Sequence, residues 1–284
     1  MNLTLDPRLT PARPDLADER LRGRVEATRF TAGERRRVTA PSAPLRRSPG
    51  PDAPLDTEAL CGEAVRVFEE QDGQAWGQLV RDGYVGYLPG AALGPDGPEP
   101  THRVTALRTF IYPGPSLKLP AFGHLSLGAG VTPEPGEGDY VRAAGGFVFA
   151  GHLAPADRHA PDFVAVAERL LGTPYLWGGK KSLGLDCSGL VQLALAMAGI
   201  AAPRDTDMME QALGQPVELR PDLGGLRRGD LVFWRGHMGI MQDEARLLHA
   251  NGHHMEVASE SLAEAERRIR EKSFGPITSV RRLG

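Results

Sequence analysis

Asp186-Cys187-Ser188-Gly189-Leu190-Val191-Gln192-Leu193-Ala194-Leu195-Ala196-Met197-Ala198-Gly199 is the stretch that decides how this chain is read. From Leu190 to Ala198 it is almost unbroken apolar sequence, and it stops at Gly199, the residue type most common just past a helix end. Residues 172–179, ahead of it, read as a loop. The pattern predicts a buried helix whose first turn carries Cys187. Unpaired N–H groups and the positive end of the helix dipole favour a thiolate there, lowering the thiol pKa below its free value of about 8.5. The same N–H groups can stabilise a developing oxyanion. A free cysteine is more often a small buried hydrophobe, so a nucleophile needs partners.

Two histidines supply them. Residues 228–234 read as a turn entering a strand, 237–242 as a second strand and 246–250 as a third, with Asp243-Glu244-Ala245 as the polar turn between the last two. A hairpin centred on Asp243 puts His237 and His249 six residues either side of the centre. They then sit opposite each other on one face, with Cβ atoms about 4.5–5.5 Å apart. One ring can take the thiol proton while the other holds it in the right tautomer, the arrangement of nucleophile, base and orienter.

Five blocks in this order are similar to the NlpC-type cell-wall peptidases: Tyr175-Leu176-Trp177-Gly178-Gly179, Asp186-Cys187-Ser188-Gly189-Leu190-Val191-Gln192, Arg228-Gly229-Asp230-Leu231-Val232-Phe233-Trp234, His237-Met238-Gly239-Ile240 and Leu248-His249-Ala250. The resemblance covers residues 161–284. It implies a compact papain-like cysteine peptidase that cuts peptidoglycan stem peptides without a cofactor. It also implies Cys187 as nucleophile, His237 as base, His249 as the polar third member, and Tyr175 as a group that polarises the scissile carbonyl. Asp186, Ser188 and Thr206 fall on positions that line the substrate pocket in members acting on free-amine stem peptides. The chain departs from the pattern after Arg204-Asp205-Thr206, where Met208-Met209 stand in place of a frequent glutamine.

With 284 residues, 41% hydrophobic and 24% charged, the chain has room for two or three small globular domains. A net charge of −3 with dispersed basic residues predicts no affinity for nucleic acid or an anionic membrane. Residues 1–8 lack a basic start, an apolar core and a cleavage site, and no apolar stretch reaches about 18 residues. Two cysteines, of which pairing would disable the nucleophile, suit a reducing compartment. A cytoplasmic protein is expected.

Residues 1–30 read as an extension containing a short helix over 16–23. Residues 31–94 read as strands at 36–39, 63–69, 75–80 and 84–88 with turns at Gln71-Asp72-Gly73-Gln74 and Asp82-Gly83, which suggests a small barrel. This segment is similar to bacterial SH3-like domains, especially at Gly62-Glu63-Ala64-Val65-Arg66-Val67 and Asp82-Gly83-Tyr84-Val85-Gly86-Tyr87. The resemblance implies that Glu63 and Tyr84 meet the terminal ammonium of a free stem peptide. After a Gly/Pro linker, residues 101–153 repeat the β pattern, with strands at 103–112, 123–127 and 145–149, and read as a second, degenerate SH3-like barrel. Residues 163–171 open the catalytic domain as an amphipathic helix. Residues 261–270 look like a charged exposed helix and 278–282 like a last strand. The fold class expected is α+β: a papain-like NlpC-type domain behind two SH3-like barrels.

Other readings are weaker. His249 and His253 have zinc-like spacing, but a structural zinc site wants four ligands and no second close pair exists, so no metal is expected. A non-catalytic wall-binding protein has no need of Cys187, His237, His249 and Tyr175 together. An amidase or acyltransferase using the same Cys–His pair remains open, because a thioester can be resolved by water or by an amine. The reading adopted is hydrolysis of the γ-D-glutamyl bond to diaminopimelate or lysine in free muropeptides beginning with L-Ala, in cell-wall recycling.

Overall fold

In the strands Ala64–Gln71 and Gln74–Leu79, Val65, Val67, Ala75 and Leu79 point one way, and burying that face builds the first β module. The protein is described by a computed structural model over residues 5–284. The chain divides between Ala156 and Asp157 into two units. In the first, a seven-stranded antiparallel sheet runs in the order Leu55–Leu60, Ser42–Arg46, Val85–Pro89, Gln74–Leu79, Ala64–Gln71, Glu34–Val38, Leu93–Pro95. The strands Ser42–Arg46 and Leu55–Leu60 are not legible in the sequence, because Pro44 and mixed polarity mask the alternation. A bulge between Val67 and Glu69 places Phe68 off the barrel core. There it packs against Trp76 at 5.4 Å between ring centroids, with Leu16 from the extension.

That packing corrects the helix expected over 16–23. Leu16, Ala17 and Asp18 are all buried in an extended strand that pairs in parallel with Arg29–Thr31. Consecutive buried side chains suit an extended segment pinned on both faces. Only one 3₁₀ turn follows, at Glu19–Leu21, capped by the Asp18 carboxylate. The Arg13 guanidinium lies 4.4 Å from the Trp76 ring centroid and pairs with Glu69, which ties the extension to the module.

Residues 102–155 form three small sheets around Val104, Ile111, Leu125, Val131 and Val148. The strand expected over 103–112 is broken into His102–Val104 and Arg108–Ile111, and Glu134–Glu137 and Tyr140–Ala143 are further strands. Cys61 is buried in this second core, and its carbonyl accepts from the Gly130 N–H at 2.8 Å. Burial pushes its thiol up to about 11, and it is not in a disulfide.

The second unit sets four helices, α1 (Phe163–Glu168), α2 (Cys187–Met197), α3 (Thr206–Ala212) and α4 (Leu262–Lys272), with a six-stranded antiparallel sheet. The sheet order is Gln215–Val217, Ser279–Arg282, Leu231–Trp234, His237–Met241, Arg246–Asn251, Glu256–Ser261. The tail strand is thus internal, not peripheral. Buried α2 packs on the strands that carry His237 and His249. The tail helix is amphipathic rather than wholly exposed, since Leu262, Ala265 and Ile269 reach the core with Trp234 and Val232.

The histidine hairpin is centred one residue later than expected. Ile240 pairs with Leu248 and Met241 with Leu247, so the symmetry point is Glu244, not Asp243. His237 and His249 are therefore diagonal rather than opposed. The register moves by two residues, and because side chains alternate with period two, both stay on the same face. Gly239 occupies the position facing His249. A Cβ there would lie 2.7 Å from Leu247 Cδ1 and 3.1 Å from His249 Cβ. Gly239→Ala is expected to destabilise the fold by about 1–3 kcal/mol through overpacking. Chemical denaturation measures it, and an unchanged midpoint would show that the hairpin has slack.

Candidate active site

The start of α2 is held by one carboxylate. Asp186, at the N-cap, accepts from the N–H of Gly189 at 2.7 Å and of Gly178 at 2.9 Å, and pairs with Arg204 at 2.7 Å. Arg204, 1% exposed, also donates to Ser188 Oγ at 2.7 Å. A buried guanidinium needs such partners, since an unpaired charge in the interior is costly. The loop backbone crosses close over the helix: a Cβ on Gly189 would sit 2.1 Å from the Gly179 carbonyl oxygen. No side chain fits at 189, so glycine follows the Cys-Ser pair. Asp186 and Ser188, expected as substrate contacts, spend these hydrogen bonds on the frame around the thiol.

Cys187 is buried at the first position of α2. Thr206 Oγ1 lies 3.8 Å from its sulfur, and the Met238 N–H, next to His237, also favours the thiolate. These donors do not win. Burial, with Asp186 adding, pushes the thiol up to about 11, the reverse of the shift expected from the helix terminus alone. The helix dipole is worth about 0.3–1 kcal/mol at an exposed end, less than the cost of burying an anion. The resting thiol is neutral.

The histidines belong to a longer chain of hydrogen bonds. His237 Nε2 and His249 Nδ1 are 2.8 Å apart, and His249 Nε2 lies 2.7 Å from Glu260 Oε1. Arg268, from α4, grips both Glu260 oxygens at 2.6 and 2.5 Å. Arg268 and His249 hold the Glu260 carboxyl far below the usual range against the burial that opposes them, so it is an anion. An anion only accepts, so His249 carries its proton on Nε2. Burial lowers the pKa of His249, which keeps it neutral, and its Nδ1 must then accept from His237 Nε2–H. His237 is held neutral too, pushed down to about 3 by burial and by His249. Its proton is on Nε2, and Nδ1 is left with a free lone pair. Phe274 stacks on this ring at 5.6 Å with 9° between planes, and Trp234 packs at 5.7 Å. Neither Glu260 nor Arg268 is signalled by the sequence as read above. Period two places Glu260 opposite Leu247 in the ladder, and only the structure shows its side chain turned to His249.

Tyr175 is half-buried, and its phenol is pushed up by burial and by the nearby Cys187 and Asp186, so it stays a donor. Its backbone is fixed by an N–H bond to the Met255 carbonyl and a bridge to Leu185. In the first unit, Glu63 pairs with Arg81 at 2.7 Å and accepts from the Leu60 N–H at 3.2 Å. Tyr84 is buried in the barrel core. His254, rather than the His253 weighed above as a ligand, approaches Glu260, with Nδ1 3.9 Å from Oε1.

Two outcomes follow from this geometry. A histidine neutral in the fold down to about pH 3 is protonated in the unfolded chain below about 6.5. Stability therefore falls as pH drops from 6.5 toward 3, by at most about 1.4 kcal/mol per pH unit from this group. His237→Gln should flatten that slope in denaturation curves taken at pH 7, 5 and 4; an identical slope would place the titration elsewhere. Glu260→Gln removes the anion that supports a charged His237, and should slow alkylation of Cys187 by iodoacetamide about tenfold, one pKa unit of lost support. An unaltered rate would mean that the chain carries no charge to the thiol.

Two segments of the chain match known families. Residues 45–93 match the bacterial dipeptidyl-peptidase Sh3 domain, and residues 172–271 match the NlpC/P60 family. Dipeptidyl-peptidase 6 of Lysinibacillus sphaericus is 33% identical over 131 residues, 46% of this chain and 47% of that protein. The γ-D-glutamyl-L-lysine dipeptidyl-peptidase of Bacillus cereus is 26% identical over 211 residues, 65% of this chain and 61% of that protein. The chain thus matches about half to three-fifths of the length of these curated relatives. The fold is similar to the crystal structure of an NlpC/P60 family protein from Bacillus cereus, with a TM-score of 0.71, 18% identity, and coverage of 88% of this chain and 99% of that one. Residues 172–271 thus carry an NlpC/P60 domain, and residues 45–93 ahead of them a bacterial SH3-type domain.

Proposed function

We propose that this protein is a cysteine peptidase that hydrolyses the γ-D-glutamyl bond to the diamino acid of peptidoglycan stem peptides. The observation that carries the reading is the chain Arg268–Glu260–His249–His237, which leaves one basic nitrogen, His237 Nδ1, in the unit whose helix α2 begins with a thiol. The names of the relatives above support the bond and the substrate class. The layout proposed is an extension over 1–30, SH3-like modules over 31–94 and 101–153, and the peptidase domain over 161–284. The substrate proposed is a free muropeptide beginning with L-Ala, met in the cytoplasm during wall recycling. No helix of the described residues is long and apolar enough to cross a membrane.

In the mechanism, the Cys187 proton passes to His237 Nδ1 as sulfur attacks the γ-carbonyl. Because the resting pair is neutral, transfer and attack go together. The oxyanion faces the Cys187 N–H and the Tyr175 hydroxyl. The imidazolium gives its proton to the leaving amine, and a thioester remains. His237 then takes a proton from water, hydroxide adds to the thioester, and the sulfur leaves and is reprotonated. His249 and Glu260 hold the ring and spread the positive charge without giving up their own roles.

Mass spectrometry of products from L-Ala-γ-D-Glu-diaminopimelate tests the reading. The dipeptide L-Ala-D-Glu and the free diamino acid are expected; Cys187→Ala should abolish turnover and His237→Ala should come close to it. His249→Ala should keep a residual rate, and His249→Asn should recover part of the loss. Turnover by Cys187→Ala would overturn the assignment. By the resemblance, Glu63 and Tyr84 would answer the substrate ammonium, so Glu63→Gln should raise KM by one to two decades, about 1.5–3 kcal/mol. Equal cleavage of free and N-acetylmuramyl-linked peptides would point instead to a hydrolase of the intact wall.

A further inference from the structure

A cavity of about 360 Å³ opens in the second unit, walled by both histidines and by Tyr175. His237, His249, Trp177 and Phe274 line it, and the last turn of α4 contributes Lys272. Asp186, Ser188, Thr206 and Cys187 are not among its walls. In the mechanism above, the protonated His237 ring must face the leaving amine. The amino acid that departs therefore occupies the space walled by that ring, while the glutamyl part lies against the α2 terminus.

The charge of this cavity is one-sided. Arg268, Lys272 and His253 line it, and no Asp or Glu does among the described residues. The Arg268 charge is met by Glu260 behind the wall. Lys272 is exposed and makes no ion pair among the described residues, so its positive charge is the one left for a ligand. Trp177, 66% exposed, offers a flat apolar side to the methylene part of such a ligand.

We propose that this cavity is the leaving-residue subsite and that it selects a diamino acid whose α-carboxylate is free. The proposal rests on the peptidase reading and deepens it. A carboxylate next to the departing nitrogen lies at the histidine end of the cavity, within the field of Lys272. The enzyme then favours tripeptides ending at the diamino acid over peptides whose carboxyl is blocked. This preference reads the carboxylate and is independent of the side chain that follows it.

The test compares kcat/KM for L-Ala-γ-D-Glu-L-Lys as the free acid and as its C-terminal amide, in the wild type and in Lys272→Gln. A partly exposed ion pair supports about a three- to fivefold preference for the acid. Lys272→Gln should bring that ratio close to one, and Lys272→Glu should invert it. Equal rates on acid and amide in the wild type, or a ratio unmoved by either variant, would overturn the subsite while leaving the peptidase reading intact. Failure to cleave either peptide or its diaminopimelate counterpart would overturn the peptidase reading itself. Circular dichroism of both variants should match the wild type, because residue 272 is on the exposed face of the last helical turn.

Discussion

A single carboxylate that stays ionised inside the protein governs the rest of the site. Glu260 is kept an anion by two hydrogen bonds from Arg268, and it dictates where the protons sit on two buried rings behind it. Without that charge, each neutral imidazole has two tautomers of similar energy, and the lone pair of His237 has no fixed direction. With it, one pattern satisfies every hydrogen bond. The cost is a buried ionic cluster, whose contribution to stability is small compared with its effect on specificity of arrangement. The same anion also favours a positive charge on His237.

A second buried pair performs a different task. Asp186 and Arg204 fix the loop of Gly178 and Gly179 over the start of α2, with Ser188 as the bridge. The pair sets the position of the thiol but does not activate it, since Asp186 pushes the thiol pKa up along with burial. Activation must then come from the histidine and from the substrate, whose polarised carbonyl draws the electron pair as the proton leaves. A neutral thiol also resists adventitious oxidation, because the thiolate is the reactive form.

The thiol helix was legible because two local signals agree: an apolar run and a terminal Gly. The histidine pairing was legible for a more robust reason. A register error of two residues leaves the face unchanged, so the rings meet although the hairpin centre moved from Asp243 to Glu244. Glu260 and Arg268 were not legible, because the first reaches His249 from the neighbouring strand and the second from a helix packed against the sheet. Charged residues in such segments look like solvated surface. The thiol pKa was misjudged because a sequence shows a helix terminus but not how deeply it is buried. In the first unit, the bulge at Phe68 and the extended Leu16 segment depend on one aromatic contact between distant parts of the chain.

The central claim is the protonation pattern, and nitrogen NMR of the ring-labelled wild type measures it most directly. At pH 7, His249 should show a protonated Nε2 and an unprotonated Nδ1, and His237 a protonated Nε2 with a free Nδ1. Coupling between His237 Nε2–H and His249 Nδ1 should be visible across their hydrogen bond. A proton on His237 Nδ1, or a doubly protonated His237 in the free protein, would contradict the account.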